Sequence, residues 1–549
     1  MATHINDSSR PPQPSNLKRA GTTFFRHIRR TGVGIVCSVA YFDPGNWGVD
    51  LQAGSSYGYR LLFVVLLAGI FAVFLQVLAS RLGCVTGLDL ASHTRLLLYN
   101  RTKRPRLVRW LVLYPIYAAA EIAIIATDLA ELLGSAIALC LLFPKLKLWQ
   151  GVLLTASDVI LVLAMGDPLR GHPARMFEFL IAALVMAVLL CMAIVISQIQ
   201  INWGLAFDGF LPSKYVFGSG ALYSSIGIIG ATIMPHSLFL GSALATQDRI
   251  GCRPEEDDKL LGPTSAMIPG SPLKSMLLTT KDIIVRAFRI PPASLHATDA
   301  TRHSEHENNP LPFVRAHIYH GIVDVVVCLL GFAVLINSLI LILSGAVFYF
   351  QNPDEAGAAS ASLFDAYDLI RSTVGKPPAI LFAIALLASG QSASFVATVA
   401  GQAVSEGFLR WRISPVIRRL LTRLIAIIPS MIVAIVVGRN GINALLVLSQ
   451  VILSIALPFV TFPLIYCTSS KTIMRVRKPS SPNYVVDDDK DELSPIGGSE
   501  EGGLGSLENG EEWVDFSNGK VMIAICIVIW SIIVIANVYV LVSLAMGSG

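Results

Sequence analysis

Two short runs of residues could do metal chemistry where chemistry of any kind is costly. "AYFDPGNWG" spans residues 40 to 48 and "GATIMPHSLFLGS" spans residues 230 to 242; both lie in sequence apolar enough to sit in hydrocarbon. Proline has no N–H, so in a helix Pro44 leaves the carbonyl of Ala40 without its partner, and Pro235 does the same to Ala231. Unbonded carbonyls in lipid are tolerated where they line a cavity or hold a cation. Asp43 adds a negative charge, and Asn46, three residues on, can return its amide oxygen to the same helical face. Met234 adds a thioether. Oxygen alone would suit Na⁺, Mg²⁺ or Ca²⁺; sulfur moves the preference to Mn²⁺, Fe²⁺, Co²⁺ or Cd²⁺. The competing account is that both prolines merely kink a helix and Met234 merely packs. The matched pattern, Ala-x-x-donor-Pro in both runs, favours a divalent metal site.

A second set of residues could move protons. Glu121, Asp128 and Glu131 are spaced by seven and three, which puts them on one face of a helix, and Arg423 offers a counter-charge elsewhere in the chain. Several carboxylates on a buried face mark a proton relay or an ion path. His236, directly after Pro235, has a side chain that titrates near neutral pH, or serves as a hydrogen-bonded structural group. His296, His303 and His306 form a weaker group that reads as solvated linker histidine rather than as a regulatory metal patch.

The elements that must hold these residues are membrane helices. The chain has 549 residues, 54% hydrophobic and 14% charged, with a mean hydropathy of +0.63, too apolar for a soluble chain of this length. Windows of about 20 apolar residues give roughly eleven spans, near 31–57, 60–82, 108–143, 149–166, 177–198, 220–247, 314–350, 377–409, 416–438, 442–467 and 519–546. The cations Lys18, Arg19, Arg26, Arg29, Arg30, Arg95, Arg101, Lys103, Arg104, Arg106, Arg109, Arg410, Arg412, Arg418 and Arg419 collect on one side, which sets the N-terminus in the cytosol. The net charge of +5 therefore reports topology, and no nucleic-acid partner is expected; the lipid bilayer is the partner that composition demands. Residues 1–30, 248–312 and 471–518 read as disordered cytosolic segments whose regulatory partners the sequence does not name. The eight cysteines form no CxxC pair, so neither a disulfide framework nor a zinc knuckle is expected.

The two prolines fall in the first and sixth spans. These begin two blocks of five spans, 31–247 opening the first and 314–467 completing the second, and an odd block length makes the second copy enter from the opposite side. The expected architecture is all-α: a 5+5 inverted repeat whose broken helices 1 and 6 meet near the midplane, with an eleventh helix over 519–546.

"DPGN" with "MPH" resembles the NRAMP divalent metal transporters, and the resemblance extends through "RLGCVTGLDLA", "ATDLAELLGSA", "LLASGQSASFVATVAGQ" and "LSQVILSIALPF". It looks most like the fungal branch. The resemblance implies a LeuT-like core and proton-coupled uptake of Mn²⁺ or Fe²⁺ toward the cytosol. It implies metal ligands at Asp43, Asn46 and Met234 and at the carbonyls of Ala40 and Ala231, and adds Gln450, which spacing alone did not single out. It places Asp43 and Glu131 toward the external side of the proton route, His236 beside the metal, and Asp128 and Arg423 toward the cytosol. Many relatives have a second histidine where this chain has Gly241, which counts against any two-histidine mechanism here. No cofactor and no enzymatic activity are expected, since no nucleophile–base pair or nucleotide motif occurs. The rival readings are a metal sensor that keeps the fold without transporting, and a Mg²⁺ or amino-acid carrier; the thioether speaks against the last two.

Overall fold

A computed structural model describes residues 32–101, 103–156, 173–218, 220–249, 300–350, 362–410, 414–478, 484–486, 493–495 and 512–546. The first predicted span is two half-helices, α1 (Val33–Val39) and α2 (Pro44–Tyr57), separated by residues 40–43. The chain then runs through α3 (Leu62–Thr86), a short α4 (Leu90–Leu98), α5 (Tyr114–Leu142), α6 (Leu148–Thr155) and α7 (Pro173–Ser197). The sixth predicted span is again two pieces, α8 (Ala221–Thr232) and α9 (Pro235–Leu244). Next come α10 (Leu311–Cys328), continued through a π-helical turn into α11 (Leu335–Ser344), then α12 (Leu363–Thr373) and α13 (Lys376–Leu409). The last helices are α14 (Pro415–Val436), α15 (Arg439–Ser469) and α16 (Lys520–Ala545).

Both breaks follow from proline at the first helical position, where the missing N–H removes no hydrogen bond. Asp43 is the N-cap of α2 and accepts from the amide of Asn46, so the residue that carries charge also starts the helix. Met234 is the N-cap of α9 with extended backbone (φ −88°, ψ 120°). The fold is all-α and polytopic. Eight helical runs among the described residues are long and apolar enough to cross a membrane. This differs from the eleven predicted spans for identifiable reasons. Pro44–Thr86 counts as one run although it holds α2 and α3, the fourth span enters the undescribed residues 157–172, and the ninth offers only the shorter apolar stretch Leu420–Val436.

The helices pack closely where glycine replaces a side chain. A Cβ on Gly134 of α5 would stand 2.1 Å from the Cβ of Pro44, and one on Gly83 of α3 would stand 1.9 Å from the carbonyl oxygen of Ser242 in α9. The acid-bearing helix α5 is thereby pressed onto the first break, and α3 onto the second half-helix. At the far end of α1, Asp324 of α10 accepts hydrogen bonds from the amides of Gly32 and Gly34 at 2.9 and 2.7 Å. This buried carboxylate satisfies the free N–H groups of a helix only seven residues long.

Two segments expected to be disordered are partly built into the fold. Residues 300–310 pack beneath α3 and α4: the amide of Asn309 donates to the carbonyl of Val85 at 3.1 Å, and its side chain donates to that of Cys84 at 2.8 Å. In the second segment, Arg475–Arg477 pairs antiparallel with Trp513–Asp515, and Arg81 bonds to Asn518 and to the carbonyl of Phe516. Polar composition misled here because these residues gain order from the helix ends they cap rather than from an apolar face of their own.

Candidate metal and proton site

At the first break the freed backbone is divided among several helices. Asn337 of α11 donates to the carbonyl of Tyr41 at 2.7 Å; Ser389 of α13 and the indole of Trp47 donate to that of Phe42 at 2.7 and 3.1 Å. Among the described residues no donor reaches the carbonyls of Ala40 or Ala231, the two that the prolines orphan. Asp43 and Asn46 lock together: Asp43 Oδ1 accepts from the backbone and side-chain nitrogens of Asn46 at 2.9 and 2.8 Å. That leaves Asp43 Oδ2 and Asn46 Oδ1 buried and without a hydrogen-bond partner. Gln450 of α15 lies over the same turn, since a Cβ on Gly45 would meet its Nε2 at 1.6 Å, and Gln450 Oε1 is likewise buried and unpartnered. Unsatisfied buried oxygens are rare and costly, so three beside one break demand an occupant that can pair with oxygen. Met234 is fully buried at the second break. Ser237 Oγ ties the two breaks together, 3.0 Å from the carbonyl of Met234 and 2.7 Å from the hydroxyl of Tyr41.

The missing second histidine has a local explanation. A Cβ at Gly241 would stand 1.6 Å from Gln76 Nε2. Gln76 fills that space, and its oxygen lies 3.0 Å from Tyr41 Oη while its nitrogen lies 3.2 Å from Cys37 Sγ. An amide that cannot titrate therefore stands where a histidine would have to fit.

His236 is buried, with Nδ1 3.3 Å from Thr127 Oγ1 on α5. Thr127 spends its own proton on the carbonyl of Ala123, so it can only accept from the imidazole. Nδ1 then carries the hydrogen, and Nε2 presents a lone pair that no group in the described residues meets. Farther along, Arg423 of α14 contacts Asp128 twice, at 3.3 Å to Oδ1 and 3.2 Å to its backbone oxygen, and also reaches Ser394. Both members of this pair are at most 2% exposed. Glu131 is fully buried one turn from Gly134 and hence one turn from the contact with Pro44. Glu121 is held by Arg418 at 2.7 and 2.9 Å. These contacts join Asp43, Asn46 and Gln450 at the first break, link His236 of α9 to α5 through Thr127, and tie α5 to α14 through Asp128 with Arg423 and Glu121 with Arg418, Glu121 standing at the partly exposed end of this belt.

Sequence reasoning missed two members of this belt, Arg418 and Asp50, and one buried acid outside it, Asp324 of α10. Arg418 was grouped with the flanking charges, although it lies five residues from Arg423 and pairs inward with Glu121. Asp50 of α2, seven residues after Asp43 on the same face, is 2% exposed with Oδ2 unpartnered. Asp324 was passed over within an apolar span. An ionisable residue in such a span was the available signal for both aspartates.

Residues 34–277 and 290–486 match the natural resistance-associated macrophage protein-like (Nramp) family. The chain belongs to that family. Among Nramp relatives, the manganese transporter pdt1 of Schizosaccharomyces pombe is 40% identical over 518 residues, covering 94% of this chain and 85% of the relative. The iron transporter SMF3 of Saccharomyces cerevisiae is 35% identical over 530 residues, covering 94% and 96%. Both are fungal, and both bear transporter rather than enzyme names. A crystal structure of a manganese transporter from Eremococcus coleocola, in a single-residue mutant form, has a similar fold, with a TM-score of 0.65, 28% identity, and coverage of 97% of this chain and 89% of that one.

Proposed function

We propose that this Nramp protein carries Mn²⁺ or Fe²⁺ toward the cytosol together with protons, by alternating access around the two broken helices. The observation that carries the reading is the trio of buried, unpartnered oxygens on Asp43, Asn46 and Gln450 beside the orphaned carbonyls of Ala40 and Ala231. A divalent ion satisfies all of them at once, and Met234 tilts the choice away from Mg²⁺ and Ca²⁺. Co²⁺ and Cd²⁺ fit the same donors.

Charge bookkeeping couples the ion to the proton. Asp43 can hold a proton or share in holding the metal, and both together in one small buried site repel. The arriving ion releases the proton from Asp43, and two acceptors stand near: the Nε2 lone pair of His236 and the carboxylate of Glu131. Asp128, held by Arg423, passes it on toward Glu121 and Arg418. The ion leaves when α1 and α9 shift relative to α5 and α13. An inside-negative membrane drives cations inward by about 2.3 kcal/mol per charge for each 100 mV.

The test is uptake of Mn²⁺ into liposomes holding the full chain, with a pH dye trapped inside. An inward acid gradient is expected to drive accumulation and lumenal acidification together, and Asp43→Ala is expected to abolish both. Metal binding with no flux under any gradient would replace this reading with that of a sensor on the same fold.

A further inference from the structure

The last helix, α16, carries a single carboxamide, Asn537, within an apolar stretch. A polar side chain buried in a membrane helix is costly unless it is paired. Asn537 is paired twice. Its Nδ2 donates to the carbonyl of Ile533 one turn back at 2.9 Å, and its amide oxygen accepts from Ser454 Oγ of α15 at 2.8 Å. Both Ser454 and Asn537 are buried.

Ser454 stands one helical turn from Gln450, so the two share a face of α15. Ser454 also presses on α8: a Cβ on Gly230 would stand 2.6 Å from its Oγ, and Gly230 is the neighbour of Ala231, whose carbonyl is orphaned. At this point α15 is weak. Pro458 lies inside the helix and has no N–H, so the carbonyl of Ser454 loses its helical partner. α16 spans the weak point with a bond on either side of it, Asn537 to Ser454 and the indole of Trp530 to the carbonyl of Pro458 at 3.1 Å.

Packing does not enclose Gln450. It borders a cavity of about 50 Å³ whose wall also includes Gln52, Tyr223, Ser224, Ser454 and Val540 of α16. With open space beside it, the reach of Gln450 toward Asp43 and Asn46 depends on where α15 carries its backbone. We propose that Asn537 is a positioning residue for the metal site: through Ser454 it splints α15 so that Gln450 Oε1 meets the ion at the first break. Asn537 itself binds no metal. The inference rests on the reading of Gln450 as a ligand. Groups that orient a metal ligand from behind typically carry about 10–100-fold of metal affinity.

Mn²⁺ uptake into liposomes holding the full chain, measured over a range of concentrations, provides the test. Asn537→Leu is expected to raise KM about tenfold while the maximal rate stays within about twofold. Asn537→Asp, which keeps an acceptor oxygen, is expected to restore KM. Ser454→Ala combined with Asn537→Leu leaves neither group unpaired, which repairs a merely structural fault, yet the raised KM is expected to persist because the splint is still missing. In Gln450→Ala protein, whose KM is already raised, Asn537→Leu is expected to add nothing. An unchanged KM in Asn537→Leu, a normal KM in the double variant, or an equal further rise on the Gln450→Ala background would overturn the proposal. A normal KM in Gln450→Ala would remove Gln450 from the metal site and this inference with it, while uptake abolished by Asp43→Ala would leave the transport function standing.

Discussion

Met234 is the side chain on which ion choice turns, because its sulfur is the one soft donor in a set of oxygens. Replacing it with alanine leaves Asp43, Asn46 and Gln450 in place, so binding persists while discrimination falls. In competition uptake, Met234→Ala is expected to lose roughly tenfold of its preference for Cd²⁺ and Mn²⁺ over Ca²⁺, about 1.4 kcal/mol. An unchanged ion ranking would remove sulfur from the account. At this scale the sequence was readable where chemistry conflicts with surroundings. Asp43 stands out as a charge in an apolar run, and the prolines name the orphaned carbonyls through their missing N–H alone. Gln450 did not stand out, since an amide in a membrane helix is ordinary until Gly45 is found beneath it. Gln76 was invisible for the same reason: its role comes from Tyr41, Cys37 and Gly241, up to 165 residues away in the chain.

Half-helices and their fastenings belong to the next scale. The breaks at residues 40–43 and 233–234 were legible because proline and a capping donor mark a helix start locally. The fastenings were not, because they pair distant segments: Asp324 with Gly32 and Gly34, and Thr86 with His93 and His306. Residues 300–310 were read as free linker because their polar composition says nothing of the α3 and α4 ends that they cover. Their docking carries a pH signature. The docked His303 takes up a proton only near 4, against an ordinary value of 6.5, because burial disfavours its charged form and His306 adds to the effect. Between those values the released segment binds the proton better than the docked one, so docking is fully favoured above about 6.5 and weakens as pH falls toward 4. Hydrogen exchange over residues 300–310, corrected for intrinsic rate, is expected to be faster at pH 5 than at pH 7, with the difference reduced in His303→Gln. Equal protection at both pH values would contradict it.

Across the whole molecule, the two broken helices open two blocks of the chain, and the belt of charged side chains lies where helices of both blocks meet. α2 and α5 come from the first; α14 and α15 come from the second, and α9 belongs to the helix that opens it. Two charge pairs cross between helices of the two blocks, Asp128 with Arg423 and Glu121 with Arg418, so a movement of one group against the other must remake them. Class, repeat and broken helices were therefore open to reading from apolar length and proline position. The number of spans was not, since half-helices and a charged ninth span blur the hydropathy on which counting depends. The central claim is that the paired breaks hold the transported ion, and crystals soaked in Mn²⁺ test it most directly. Anomalous density is expected between Asp43, Asn46, Met234 and the carbonyls of Ala40 and Ala231, and to vanish in Asp43→Ala. Density confined to other parts of the protein, with none between the breaks, would contradict it.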